Sequence, residues 1–146
     1  MLYLIKDIND PLAIYLKDDP VRPHIPISKR FDHGSHVLVL KDRDKVGAIV
    51  CAKFCENIPI NEQQLLEEHS NMPTSAIFYT IWSYQSGYGQ RLIREGMHFI
   101  RSNRPEIKRF VTLSPVTEMA RKFHIRNGAV ILRINDDTVN YEYLNI

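Results

Sequence analysis

The sequence predicts an α/β fold in which one mixed, mostly antiparallel sheet is flanked by helices on both faces. Three observations lead there. The apolar run SAIFYTIW, Ser75 to Trp82, passes through a glycine turn into an amphipathic stretch, as a buried strand does when it crosses over through a helix. Two β-rich runs joined by the polar KDRDK precede it, and a second hairpin pattern closes the chain. The 146 residues are 44% hydrophobic and 25% charged, the balance of one ordinary core, and no repeat, low-complexity tract or linker divides them. Residues 1–146 are therefore read as a single domain.

The elements follow in order. Asp10-Pro11 reads as an N-cap followed by a proline in the first helical position, opening a short helix through Leu12, Tyr15 and Leu16 that stops near Asp19-Pro20. The proline-rich segment 20–35 is expected to be irregular. Val37 to Leu40 and Val46 to Phe54 read as an antiparallel pair. Asn61 with Gln64 makes a capping box for a short helix through Leu65-Leu66, ended by Met72-Pro73. After the central strand, Leu92, Ile93, Gly96, Phe99 and Ile100 recur at helical spacing from Tyr88, with Arg91, Arg94, Glu95 and Arg101 on the other side. Arg109 to Leu113 is a strand. Ser114-Pro115 repeats the cap-plus-proline start, for a helix through Val116, Met119, Ala120 and Phe123 that ends at Asn127-Gly128. Val130 to Ile134 and Val139 to Leu144 form the closing hairpin. The early and late strands are thus antiparallel, with one parallel crossover after the glycine turn.

Composition narrows the function classes. The N-terminal MLYLIKDINDP has neither a basic lead nor a long apolar run, so a signal peptide and a membrane span are not expected and a cytoplasmic location is. Cys51 and Cys55 lie four apart in a strand, too far to bridge each other, and read as buried thiols. The net charge of +2 is unevenly spread: residues 86 to 133 hold ten Lys/Arg against Glu95, Glu106 and Glu118. Those side chains either cover solvent faces of two helices or face an anionic ligand. Nucleic acid is not the expected ligand, because a strand separates the two main helices and no aromatic RNA-binding signature is present.

The segment SYQSGYGQRLIREG, Ser83 to Gly96, supplies the chemistry that can decide. The first amides of a helix have no intrahelical acceptor and sit at the positive end of its dipole, and glycine lets a ligand come close to the main chain. Gly87 and Gly89 stand at that junction. No Lys followed by Ser or Thr comes after them, which excludes a Walker loop, and Leu92 stands where a dinucleotide fingerprint needs a third glycine.

Tyr84-Gln-Ser-Gly-Tyr-Gly89 resembles the R/Q-x-x-G-x-G/A loop of the GNAT superfamily of acyl-CoA-dependent N-acetyltransferases. Ala120-Arg-Lys-Phe-His-Ile-Arg-Asn-Gly128-Ala129 resembles that family's A-x-x-F-Y-x-x-x-G-F segment, and the element order from about residue 36 onward is similar too. The resemblance implies a GNAT-like fold. It also implies that amides from Gln85 through Ser86, Gly87, Tyr88 and Gly89 to Gln90 hold the pyrophosphate of acetyl-CoA as co-substrate. Main-chain groups near Ile81 and Ser83 would pair with the pantetheine arm in a slot between diverging strands, and Thr117 stands where the family often has a ligand-binding Asn. The implied activity is transfer of an acetyl group to an amine of a small molecule or protein, by direct attack on the thioester. His124 replaces the tyrosine that protonates the leaving thiolate and would be the general acid. Tyr84 and Ala129 are further departures from the pattern. These substitutions keep open a catalytically silent module of the same fold that binds coenzyme A or a protein partner. A homodimer is also left open.

Other polar residues have plainer readings. His124 is either the acid or a polar residue on the core rim bonded to a backbone carbonyl. Glu56, just after the second hairpin strand, is a solvated carboxylate more readily than a base. Asp32, His33 and His36, with His24 nearby, match no metal-ligand spacing, so no metal is expected. Ser114 reads as a cap rather than a nucleophile. Phe78, Tyr79 and Trp82 read as core, alternate ones being able to line an acceptor pocket.

Overall fold

The computed structural model describes residues 1–144. Its sheet runs in the order β1 (Leu2–Ile5), β2 (Ser35–Asp42), β3 (Lys45–Cys55), β4 (Ser75–Ser83), β5 (Arg109–Thr112), β8 (Thr138–Tyr143), with β7 (Ala129–Ile134) and the two-residue β6 (Ser114–Pro115) also pairing with β8. Among the described residues only β4 and β5 are parallel, and the other pairs are antiparallel. That parallel pair is the crossover expected after the glycine turn, and the intervening helix α2 (Tyr88–Asn103) packs on β1 to β4.

Alternation along the strands divides the core in two. Leu38, Leu40, Val50, Ala52 and Phe78 face α2 and meet Leu92, Ile93, Met97 and Ile100. Val37, Val39, Ile49, Cys51, Tyr79 and Trp82 face the other way, under a 3-10 helix (Pro11–Asp18), a second one (Ile27–Arg30) and the short α1 (Glu62–Glu67). Helical segments therefore cover both faces. Cys51 and Cys55 are buried and free, and burial pushes their thiols up to about 11 and about 12, so neither is a reactive thiolate at neutral pH.

The local signals act largely as read. Asp10 caps the first 3-10 helix through the Leu12 amide. Asn61 accepts from Gln64 N, while Gln64 Oε1 takes the Ile60 amide rather than that of the cap itself. Gly128, with φ of +100°, ends α3 (Glu118–Arg126).

Three expectations need correcting. Ser114-Pro115 is not a helix start: it pairs with Val139 and Thr138 as β6, and Thr117 is the residue that caps α3, accepting from Ala120 N. Val116 and Met119 lie exposed. Leu2–Ile5, unassigned from sequence, is an edge strand paired with Val37 to Leu40. Finally, α1 stops at Glu67, well before Met72-Pro73, and buried Lys53 reaches across to donate to the Leu65 carbonyl at 2.6 Å.

The irregular segment 19–30 is held by charge. Asp19 and Arg30 form a buried pair, Nη1 to Oδ2 at 2.7 Å. Asp19 Oδ1 also accepts from the Val21 and Arg22 amides and from Thr80 Oγ1. Burial alone would raise this carboxyl, but these donors hold it below its ordinary value. Removing one member of such a pair leaves the other charge buried alone. Asp19→Ala and Arg30→Ala should each lose about 3–5 kcal/mol in urea unfolding, with the double variant losing less than the sum.

Candidate functional site

β3 pairs with β4 along its whole length, from Ser75 to Ser83. β5 pairs with β4 only from Ser75 to Phe78, a last bond running from Leu113 N to the Phe78 carbonyl at 3.0 Å. Beyond that point the chain turns through β6 to β8, and Tyr79 to Ser83 have a strand neighbour on the β3 side alone. The two parallel strands thus fork just above Phe78 and Thr112. Ile81, in the stretch of β4 beyond the fork, is half-buried and Ser83 is exposed.

The glycine turn closes the upper end of this fork. Gly87, with φ of +82°, stands as the N-cap of α2, and space is open around the position of its absent Cβ. Gly89 has a different task, since a Cβ there would come within 3.2 Å of the Phe123 ring. That missing methyl lets α3 lie against the first turn of α2. The Tyr88 ring packs directly on Gly47 of β3, where any Cβ would overlap it, and its hydroxyl donates to Asp42 Oδ2 at 2.7 Å. Gln85, Ser86 and Gln90 remain at the surface of the turn, with Arg91 lying over the Tyr88 ring. Tyr84 points away from the turn. Its hydroxyl donates to Asp18 at 2.8 Å and accepts from Trp82 Nε1 at 3.1 Å, so the departure at position 84 does not fill the space around Gly87.

Two buried hydroxyls mark the base of the fork. Ser114 Oγ donates to Thr112 Oγ1 at 2.8 Å, and Thr112 Oγ1 also accepts the Tyr141 amide at 3.0 Å. Ser114 was read as a cap; its place at the β5–β6 step follows from the strand there, for which a two-residue run gives no sequence signal. His124 lies behind Tyr141, its ring stacked on that of Tyr141 at 5.1 Å with Phe123 edge-on. Its Nδ1 shares a 2.7 Å hydrogen bond with the Tyr143 hydroxyl, not with a backbone carbonyl. With only 4% of its surface exposed, burial lowers its pKa to about 4, so at neutral pH it is an uncharged imidazole. A groove of about 350 Å³ runs between α2 and the end of α3, lined by Gln90, Arg94, Arg101, Asn127 and Tyr143.

The remaining candidates lie elsewhere. Glu56 follows Cys55, which pairs with Ser75 at the opposite end of β4 from the glycine turn. His33 stacks edge-on with His69, His36 lies on Phe54, and His24 pairs with Glu62. Among the described residues, no group of three or more His, Cys, Asp or Glu is placed to hold a metal ion. No helix among them is long and apolar enough to cross a membrane.

Comparison with known proteins adds to this geometry. The family model of the malonyl-CoA decarboxylase C-terminal domain matches residues 48–135, from β3 through the glycine turn and α3 into β7. The chain belongs to that family. Malonyl-CoA decarboxylase from Agrobacterium vitis is similar over 86% of this chain at 25% identity and a TM-score of 0.70, and the enzyme from Cupriavidus metallidurans over 99% at 18% identity and 0.74. The chain spans 36% and 60% of those two proteins. GphF, a GNAT-like decarboxylase in complex with isobutyryl-CoA, matches at 13% identity and a TM-score of 0.76, each chain covering 98% of the other. No curated protein sequence matches the chain.

The fold is thus GNAT-like, as the glycine turn implied. The N-acetyltransferase activity drawn from the same resemblance is overturned by the family match: the matched family is that of the malonyl-CoA decarboxylase C-terminal domain, and the three solved structures named above are decarboxylases, so acetyl transfer to an amine is not the activity indicated.

The buried imidazole has a measurable consequence. Unfolded His124 takes up a proton below its ordinary pKa of 6.5, whereas the folded ring does so only near 4. Between those values the unfolded state binds more protons, so acidification destabilises the fold. Stability should fall by about 3 kcal/mol as pH drops through that window, and His124→Phe should flatten this slope in urea titrations.

Proposed function

We propose that the fork binds a coenzyme A thioester carrying a β-carboxylate, of the malonyl type, and decarboxylates it. The family match over residues 48–135 carries this reading, because those residues supply the glycine turn, both arms of the fork and α3. The unpaired amides of the first turn of α2 suit the pyrophosphate. The edge of β4 at Ile81 and Ser83, free of a β5 partner, suits the amide-bearing pantetheine arm, which can add to it as a short strand would.

In the proposed reaction the bond between the α-carbon and the carboxylate breaks and carbon dioxide leaves. The electron pair passes toward the thioester oxygen as an enolate, and the α-carbon then takes one proton. Two demands follow: hydrogen-bond donors for the developing oxyanion, and a proton source in a site that excludes water. Thr112 Oγ1, at the base of the fork, accepts from Ser114 Oγ and the Tyr141 amide, which leaves its own hydroxyl hydrogen for such a role. His124 is assigned the proton, which leaves Nε2 as the Tyr143 hydroxyl proton passes to Nδ1, so that the ring stays neutral and the Tyr143 oxygen is reprotonated from solvent. When Tyr143 donates to Nδ1, the neutral ring carries its hydrogen on Nε2. The closed packing around His124 also suits the second reading, a module that binds the thioester without turning it over.

Incubation with malonyl-CoA decides between them. Decarboxylation should yield acetyl-CoA and carbon dioxide in equal amounts by chromatography and bicarbonate assay, with no amine-dependent release of free thiol. Binding of malonyl-CoA by calorimetry without either product would favour the silent module, and no binding would sink both. His124→Phe should lower kcat by at least about 100-fold while leaving the affinity for coenzyme A intact. An unchanged kcat would remove His124 from the chemistry.

A further inference from the structure

The fork needs a reason to stay open, and β4 contains an irregularity where it begins. Thr80 pairs with Cys51 and Phe78 with Ala52, so Tyr79 is one residue too many and forms a bulge. It comes directly after Phe78, the last residue of β4 paired with β5. A bulge leaves its residue outside the ladder, bends the strand and increases its twist. The released Tyr79 carbonyl is taken by Nη1 of Arg22, a side chain 6% exposed. Arg22 is in turn fixed from two sides: its Nε donates to Glu62 Oε1 at 3.0 Å, and its amide donates to Asp19, whose Oδ1 also accepts the Thr80 hydroxyl. Both residues at the start of the fork are thus gripped from segment 19–30, on the face away from α2.

We infer that Arg22 is a positioning residue that sets the geometry of the fork by holding the Tyr79 bulge, and so fixes the arm of β4 on which a coenzyme A thioester would lie. The second half of this rests on the reading of the fork given above. Without the guanidinium, the Tyr79 carbonyl is buried and unpaired, and the strand can recover a partner by absorbing the extra residue into the ladder. Absorbing it shifts Thr80 to Ser83 by one position and exchanges the faces of Ile81 and Trp82. The edge offered to a ligand would then carry the wrong groups.

Trp82 is the sole tryptophan, buried beyond the bulge and bonded to the Tyr84 hydroxyl, so its fluorescence reports the register of this arm directly. The test compares Arg22→Met, Arg22→Gln and Arg22→Lys with Ile5→Val, a core substitution on the far edge strand that should lower the melting temperature without touching β4. Emission of Trp82 should shift to the red in Arg22→Met and Arg22→Gln, with the Kd for coenzyme A rising about tenfold or more by calorimetry. Arg22→Lys, which keeps a cationic donor for Tyr79, should recover most of both, and Ile5→Val should change neither. Wild-type emission and affinity in a folded Arg22→Met or Arg22→Gln protein would overturn the inference. Failure of both to fold would also do so, by making Arg22 a framework residue. If the wild-type protein binds no coenzyme A, it is the reading of the fork that fails, while the Trp82 shift still tests the role of Arg22.

Discussion

The molecule is organised around one mismatch: β4 is paired to its end on the β3 side and for only its first four residues on the β5 side. A buried strand edge with no partner is costly unless something satisfies or covers its polar groups. The chain fixes both ends of the exposed stretch. Below, Arg22 takes the Tyr79 carbonyl and Asp19 accepts the neighbouring Thr80 hydroxyl. Above, the β3 side stays paired to the end, the Tyr84 amide donating to the Gly47 carbonyl before the glycine turn reverses the chain. What remains between them is a short edge held in shape and left open, which is a different thing from a frayed strand.

The helices are placed by small contacts on that frame. Gly47 admits the ring of Tyr88, and Gly89 admits the ring of Phe123, so α2 is drawn down onto β3 while α3 is drawn against the first turn of α2. A methyl at Gly47 would overlap the Tyr88 ring outright, and one at Gly89 would press on the Phe123 ring at 3.2 Å. The same two contacts bring His124, the residue after Phe123, over the tyrosines of β8, where burial keeps its ring uncharged. Position and protonation state of this imidazole therefore have one origin, the closeness of α3 to the sheet.

Much of this was legible in the residues. The central strand and the helix after it carry apolar patterns longer than a few residues, and such patterns survive because the core demands them, whereas the apolar run of the closing hairpin announces a strand although Val130 to Ile134 are exposed. Positions 114 and 115 show where legibility ends. A serine before a proline fits a helix cap, and nothing local says that the pair continues a strand toward β8 while Thr117 caps the helix instead. The edge strand at Leu2–Ile5 was hidden for a related reason: its residues Leu2 and Tyr3 are partly exposed, and only pairing with β2 defines it. Segment 19–30 was least legible of all. Its order comes from Asp19, Arg22 and Arg30 meeting partners on β3, β4 and α1, contacts between residues far apart in the chain that no local pattern can announce.

The same limit separates acetyl transfer from decarboxylation on this fold. A glycine turn at the head of a helix specifies a place for phosphate, and a forked pair of strands specifies a place for an extended arm; both describe the handle of a thioester rather than what happens at its far end. Attack by an amine and loss of carbon dioxide each begin by polarising the thioester carbonyl, so the same frame can serve either. They differ in what must come next. Acyl transfer needs an open approach for a second substrate and a way to shed the amine proton, whereas decarboxylation needs a closed site and one proton delivered to carbon. An imidazole sealed among tyrosines, with Glu56 at the opposite end of β4, fits the second set of demands better than the first.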